Sequence, residues 1–366
     1  MRTSLVALAA LGGALLPLLS AVAAPDESSA TTSRVRLLPP RVGIYHGAFP
    51  DFGPTEDRVA TPSVRQFARL ARKRMVWAYF SNNWFGGIHF PGQAVTAIRR
   101  SGATPFIRLM PRSDWTEGRA DRRYGLGAIA EGRFDAELRR WARAAASTKV
   151  PLLVDFACEM NGDWFPWSGK WNGGGERTTY GDPRLADGPE RYRAAYRHVI
   201  RVFRAQGARN VTWVFHVDAD STPSAHWNSM KAYYPGDDYI DWIGVSAYGA
   251  QTTSDPWESF TAVLDRAYPE LAAISRRKPL MIAEFGVVED PANGRKGRWI
   301  RAALEAIGAR RYPRIKGISY WHSNWQNEDG TQSRMRIDSS PGALTAYRAG
   351  ISRPTFVARA RLSRGS

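Results

Sequence analysis

Eight short apolar runs spaced along the chain constrain its fold more than any other feature: Arg41–Tyr45, Met75–Tyr79, Thr104–Met110, Pro151–Phe156, Val211–His216, Tyr239–Ser246, Leu280–Glu284 and Ile315–Trp321. Most are continuously aliphatic or aromatic rather than alternating, which is how strands buried on both faces of a parallel sheet read. Amphipathic stretches lie between them. Ser63–Arg72 sets Val64, Phe67, Ala68 and Ala71 on one face, Phe134–Ala146 behaves likewise, and Pro189–Gln206 opposes Tyr192, Tyr196, Ile200 and Phe203 to a row of arginines. Ser259–Ser275, Lys296–Ile307 and Pro341–Ala349 complete the set, with Gly207 and Gly308 where C-terminal caps belong. Strand–helix alternation of this kind predicts an α/β fold, a single (β/α)8 TIM barrel over residues 42–352. A doubly wound open sheet would carry a glycine-rich phosphate turn after an early strand, and none is present.

The flanks read differently. Met1-Arg2-Thr3, the apolar stretch Leu5–Val22 and the small residues Ala21-Val22-Ala23 have the form of a cleavable export signal over residues 1–23, so a secreted or periplasmic protein is expected. Residues 24–41 read as a flexible lead-in and 353–366 as a basic C-terminal tail. No later run is long and apolar enough for a membrane span. One cysteine, Cys158, excludes a disulfide-stapled fold. The formal net charge is +17, and only seven of the 51 basic residues are lysine, so the excess is arginine spread along the chain. Nucleic-acid binding would favour a clustered basic stripe within a recognisable module, and neither is found. An anionic glycan or a cell surface suits the charge better. A monomer is expected.

Catalytic groups of such barrels sit at the carboxyl ends of the strands. The fourth run leaves through Phe156-Ala157-Cys158-Glu159-Met160-Asn161-Gly162-Asp163-Trp164, and the seventh through Met281-Ile282-Ala283-Glu284-Phe285-Gly286. Each therefore ends on a glutamate, and three strand–helix units separate the two, which sets Glu159 and Glu284 across one cavity. Facing carboxylates are what glycosidic hydrolysis needs: one protonates the departing oxygen while the other attacks the anomeric carbon. Apolar neighbours such as Trp164, Phe165 and Trp167 would raise the pKa of Glu159, and Glu284 should stay ionised, with Tyr248 placed to donate to it.

With these residues in view, the chain resembles glycoside hydrolase family 26, a clan A family of mostly endo-β-1,4-mannanases. The resemblance rests on Glu159 through Trp167, on Tyr233-Tyr234-Pro235-Gly236-Asp237-Asp238-Tyr239-Ile240-Asp241-Trp242-Ile243-Gly244, and on Ala283-Glu284-Phe285-Gly286, with Trp321 and Ile337–Pro341 also in place. It implies a retaining mechanism with Glu159 as acid/base and Glu284 as nucleophile, about 5–5.5 Å apart. It further implies that Tyr248 hydrogen-bonds the nucleophile, that Trp164 contacts sugar, and that Trp321 lies beneath the sugar at the cleavage point. One position departs from the family: Cys158 stands where mannanases usually carry histidine, and a thiol cannot reproduce the hydrogen bonds of an imidazole.

Asn161, Trp167, Arg108 and His216 complete the set of candidate substrate contacts, and Trp171 and Trp325 extend the aromatic surface. The spacing of the six histidines matches no metal motif, so neither metal nor cofactor is expected. The expected activity is endo-hydrolysis of a β-linked polysaccharide, β-1,4-mannan or glucomannan first. A β-1,3-xylanase, a β-glucanase, an exopolysaccharide hydrolase or a catalytically inactive glycan-binding barrel remain as alternatives.

Overall fold

The computed structural model describes residues 35–327 and 329–363. The export signal expected over 1–23, the lead-in up to residue 34 and the last three residues of the tail lie outside these. Eight parallel strands run in sequence order: β1 (Ile44–Phe49), β2 (Trp77–Asn83), β3 (Thr104–Met110), β4 (Leu152–Phe156), β5 (Val211–Asp218), β6 (Trp242–Tyr248), β7 (Leu280–Gly286) and β8 (Ile315–Trp321). The sheet closes where β8 pairs with β1, from Tyr45 opposite Gly317 to Phe49 opposite Trp321. The fold is the single (β/α)8 barrel expected from the strand–helix alternation.

Helices α1 (Thr61–Ala71), α2 (Gly92–Arg100), α3 (Leu126–Ala130), α4 (Asp135–Thr148), α5 (Asp187–Ala205), α6 (Phe260–Ile274), α7 (Lys296–Gly308) and α8 (Pro341–Ile351) cover the outside. Each long helix buries one stripe. In α5 it is Tyr192, Tyr196, Val199, Ile200 and Phe203, with the arginines turned outward. No described helix is long and apolar enough to cross a membrane.

The boundaries differ from the sequence reading in instructive ways. β1 runs on to Phe49 and holds Gly47 inside it, where a side chain would collide with the indole of Trp77. A polar–small stretch, His46-Gly47-Ala48, thus belongs to a fully buried strand. The short helix α2 carries its buried face on only Ala94, Val95 and Ile98, too little to stand out in the sequence. Between β5 and β6 only two 3-10 turns form, at His226–Asn228 and Met230–Tyr233. Gly207 takes the left-handed conformation that follows a helix end, at φ 72°, but beyond α7 that role falls to Arg310, φ 60°, not to Gly308.

The described parts of the lead-in and tail are pinned to the barrel. Leu37–Leu38 pairs antiparallel with Arg361–Leu362, and Phe356–Val357 pairs parallel with the start of β1 at Ile44 and Tyr45. The Tyr45 hydroxyl donates to Leu38 O at 2.8 Å and accepts from Arg361 N at 2.9 Å. Leu37 and Phe356 are the buried side chains that hold these segments down, which a reading by charge and proline content overlooks.

Candidate active site

A β-bulge aims Glu284. Val245 pairs with Ile282 but Ser246 pairs with Glu284, so Ala283 is an extra residue on β7. The insertion resets the in–out alternation, and Glu284 lands opposite Ser246 with its side chain in the mouth of the barrel. Glu159 is placed by another device. The chain leaving β4 turns through two left-handed non-glycine residues, Ala157 at φ 52° and Glu159 at φ 55°. Such conformations cost on the order of 1–3 kcal/mol each and persist where the surroundings enforce them. Here Ala157 N donates to Leu109 O at 3.0 Å and Glu159 N to His216 O at 2.8 Å, which ties the turn to β3 and β5.

The two carboxylates meet. One oxygen of Glu159, one of Glu284 and one ring nitrogen of His216 all lie within 4.8 Å of one another. Tyr248 donates its hydroxyl to Glu284 Oε2 at 2.7 Å, and Arg108 Nη1 stands 3.3 Å from Glu284 Oε1 and 3.4 Å from Glu56 Oε2. Glu159 Oε2 accepts from Trp164 Nε1 at 3.1 Å, and its Oε1 accepts from Ser246 Oγ. An open cleft of about 530 Å³ surrounds the pair. Its walls come from the loops after β1, β3, β4, β6 and β8 and from the ends of β5 and β7, with aromatic surface from Trp115, Trp164, Phe165, Trp321 and Trp325.

Burial pushes the Glu284 carboxyl up to about 7, a rise that Arg108 opposes and Glu159 adds to. The cause is position: β7 carries Glu284 into the barrel interior, at 4% exposure, where water solvates its charge poorly.

Several sequence candidates come together here. Arg108, Trp164, Tyr248 and Trp321 line the cleft with the two glutamates. Trp321 stacks on Phe49, ring centroids 4.0 Å apart, and the Arg108 guanidinium lies 5.3 Å from its centroid. Five candidates sit elsewhere. Trp167 is buried behind the cleft, stacked on Phe165 and donating to Cys158 O at 2.6 Å, because its indole closes the loop on itself. Asn161 is a buried clamp between loops, donating to Asp218 O and Ser221 Oγ and accepting from Asp218 N. Cys158, fully buried with its thiol pushed up by burial, lies beneath the cleft surface. His216 lies there too, with Nδ1 2.9 Å from Asp155 Oδ2 and Nε2 2.8 Å from Ser246 Oγ. Trp171, half-buried, donates to Asp163 O at 2.7 Å and does not reach the cleft wall.

Other residues enter that the sequence did not single out: Glu56, Arg112, Trp115 and Glu117 in the cleft, Ser246 and Asp155 beneath it. Ser246 had a signal, since it lies two residues before Tyr248 and shares its face of the strand. Asp155 had one as well, as the lone charge in Leu152-Leu153-Val154-Asp155-Phe156. Metal ligation is possible in donor type for Asp155, Cys158 and His216, whose ligand atoms also fall within 4.8 Å of one another. Both ring nitrogens of His216 are already engaged in hydrogen bonds, which accounts for the cluster without an ion.

Comparison with known proteins adds an independent line. The model of glycosyl hydrolase family 26 matches residues 132–287, the span that carries both glutamates. Endoglucanase H of Acetivibrio thermocellus is 31% identical over 320 residues, covering 86% of this chain and 31% of that protein. A mannan endo-1,4-β-mannosidase of Bacillus subtilis is 27% identical over 192 residues, covering 52% of this chain and 45% of that one. The chain thus spans about a third to a half of the length of these curated relatives. Among solved structures, the catalytic domain of a Bacillus sp. JAMB-750 endo-β-1,4-mannanase shares the fold at a TM-score of 0.60 and 17% identity, covering 86% of this chain and 87% of that one.

Proposed function

The chain belongs to glycosyl hydrolase family 26, and from that premise we propose that it hydrolyses a β-linked polysaccharide by a retaining double displacement on Glu159 and Glu284. What carries the proposal is the separation of the two carboxylates, within 4.8 Å between their nearest oxygens. Inverting pairs stand about 6.5–9.5 Å apart to admit a water, whereas a nucleophile and its acid/base stand at about 5–5.5 Å.

In the first step Glu159 gives its proton to the glycosidic oxygen while Glu284 attacks the anomeric carbon, and a glycosyl ester forms as the leaving chain departs. In the second, Glu159 takes a proton from water, whose oxygen displaces Glu284. Attack requires Glu284 ionised, and Arg108 and Tyr248 favour that form. Trp164 holds one oxygen of the acid/base, and Trp321 lines the cleft beside the pair.

For the substrate we place a β-glucan first, on the 31% relation to Endoglucanase H through most of this chain. β-1,4-Mannan or glucomannan is the second reading, supported by the mannosidase relatives. An acidic polymer is disfavoured at the cleavage point, because Glu56, Glu117, Glu159, Asp218 and Glu284 face the cleft against Arg108 and Arg112 alone. The open cleft suits attack within a chain. Residues 1–23 form a removable export signal in this proposal, so the mature protein acts outside the cytoplasm.

The test is release of reducing ends from mixed-linkage β-glucan, glucomannan, galactomannan and β-1,3-xylan, with Glu159→Gln and Glu284→Gln beside the parent protein. Cleavage of one polymer, lost by ~10³-fold or more in both variants, with the β-anomer formed first by proton NMR, is the expected outcome. Unimpaired cleavage by either variant would refute the assignment, and a protein that binds a glycan without cutting any would be an inactive binding barrel.

A further inference from the structure

Behind Glu159 runs a buried chain of hydrogen bonds that the two-carboxylate mechanism does not use. Ser246 Oγ contacts Glu159 Oε1, and His216 Nε2 lies 2.8 Å from Ser246 Oγ. His216 Nδ1 lies 2.9 Å from Asp155 Oδ2, which also accepts from the Tyr79 hydroxyl at 2.6 Å. Ser246, His216 and Asp155 are each no more than 1% exposed. They come from β6, β5 and β4, three adjacent strands, so the chain is built into the barrel wall.

Resting on the assignment of Glu159 as acid/base, we propose that Asp155, His216 and Ser246 are positioning residues that fix Glu159 and hold its proton before the first half of the reaction, returning it to Glu159 for delivery to the glycosidic oxygen. The same heavy atoms serve both proton states. With Glu159 protonated at Oε1, its hydroxyl donates to Ser246 Oγ, Ser246 donates to His216 Nε2, and His216 Nδ1–H donates to Asp155. With Glu159 ionised, Ser246 donates to Oε1 and His216 Nε2–H donates to Ser246. Between the two states the Glu159 O–H bond breaks, Ser246 Oγ gains that proton, and the serine passes its own to His216 Nε2. One proton moves inward, no electrons are exchanged, and the imidazolium formed is held by Asp155.

The surroundings support a charged imidazole. Burial alone would lower the pKa of His216, but hydrogen bonding to Asp155 and the charges of Asp155, Glu284 and Glu159 raise it. The other groups that feel Glu159 are Asp218 from β5, Tyr248 from β6, Glu284 from β7 and Cys158 beside it on the β4 turn. Of these, Asp218 is a third carboxyl in the cleft, its pKa well above the ordinary range through burial and the charge of Glu159. The hydrogen bond to Glu159 Oε1 comes from Ser246, which makes that serine the route inward.

The test compares Ser246→Ala, Ser246→Thr and His216→Gln with the parent on the cleaved polymer and on the matching 2,4-dinitrophenyl glycoside. The latter has a leaving group that departs without a proton. Ser246→Ala and His216→Gln are expected to lose on the order of 10–10²-fold in kcat/KM on the polymer, with much less loss on the dinitrophenyl glycoside. Removing a donor to the carboxylate favours its protonated form, so the alkaline limb of the polymer profile should move to higher pH. Ser246→Thr, which keeps the hydroxyl, should restore both. Equal losses on the two substrates, or an alkaline limb that stays in place, would overturn the relay. Full polymer cleavage by Glu159→Gln would instead remove the acid/base assignment beneath it.

Discussion

The hydroxyl of Tyr248 stands 2.7 Å from Glu284 Oε2, donating to a carboxylate that is otherwise sunk in the barrel. A donor to the ionised form lowers a carboxyl pKa, so Tyr248 offsets part of the burial that lifts Glu284 to about 7. Tyr248→Phe removes this bond and little volume. The expected result is a loss of about 10–10²-fold in kcat/KM near neutral pH. The acidic limb of the profile, which marks ionisation of the nucleophile in the free enzyme, should move to higher pH. An unchanged acidic limb would mean that Glu284 does not set it.

The same raised pKa has a consequence for stability. An unfolded chain holds this carboxyl near 4.5 and the folded one near 7, so between those values the folded state binds more protons. Stability contributed by protonated Glu284 is present below 4.5 and is lost as pH rises through 7. Glu284→Gln removes the titration, and a shift of this size corresponds to about 3 kcal/mol as an order of magnitude. The melting temperature of the variant relative to the parent should therefore rise between pH 5 and pH 8. The buried His46 and His322, lowered by burial to about 4 and about 3, work in the opposite sense as pH falls below 6.5. They are common to both proteins and cancel in the difference. A melting difference that does not vary with pH would contradict the buried-charge account.

How much of this site could be read in advance follows from what each signal depends on. Glu159 and Glu284 stand out because each ends an apolar strand, and strand ends are where a barrel puts its chemistry. Trp167 and Asn161 mislead for the same reason: proximity in sequence to Glu159 says nothing about which way a turning loop points a side chain. The β4 exit twists through Ala157 and Glu159, so Trp164 faces the cleft and Trp167 faces the core. Ser246 and Asp155 lie beneath the site, and their importance depends on contacts among three strands far apart in sequence. The bulge at Ala283 leaves no trace in composition, yet without it Glu284 would point away from the cleft.

The opposite placements of two nearby tryptophans separate binding from folding. Trp167 is 1% exposed and stacked on Phe165, so Trp167→Ala should destabilise the protein by about 3–5 kcal/mol. Trp167→Phe should keep kcat and KM close to the parent values. Trp164 is half-buried, with its indole N–H on Glu159, so Trp164→Phe should melt near the parent temperature yet lose about 10-fold or more in kcat. Denaturant unfolding and steady-state kinetics on the four proteins distinguish the roles. A catalytic defect in Trp167→Phe with unaltered stability would return that residue to the cleft.

The closing segments make a prediction far from the chemistry. Phe356 is 1% exposed and sits in the short strand that pairs with β1, the strand whose other side closes the barrel against β8. Emptying that position removes packing where the first and last barrel strands depend on each other. Phe356→Ala should cost about 3–5 kcal/mol in denaturant unfolding. The carboxylates lie at the other end of these strands, near Phe49 and Trp321, so kcat per folded molecule at 25 °C should remain at the parent value. Arg361→Ala is the control, since the backbone N–H to Tyr45 survives that change and the side chain is exposed. If Phe356→Ala unfolds no more readily than Arg361→Ala, the C-terminal segment merely rests on the barrel, and its pairing with β1 adds nothing to closure.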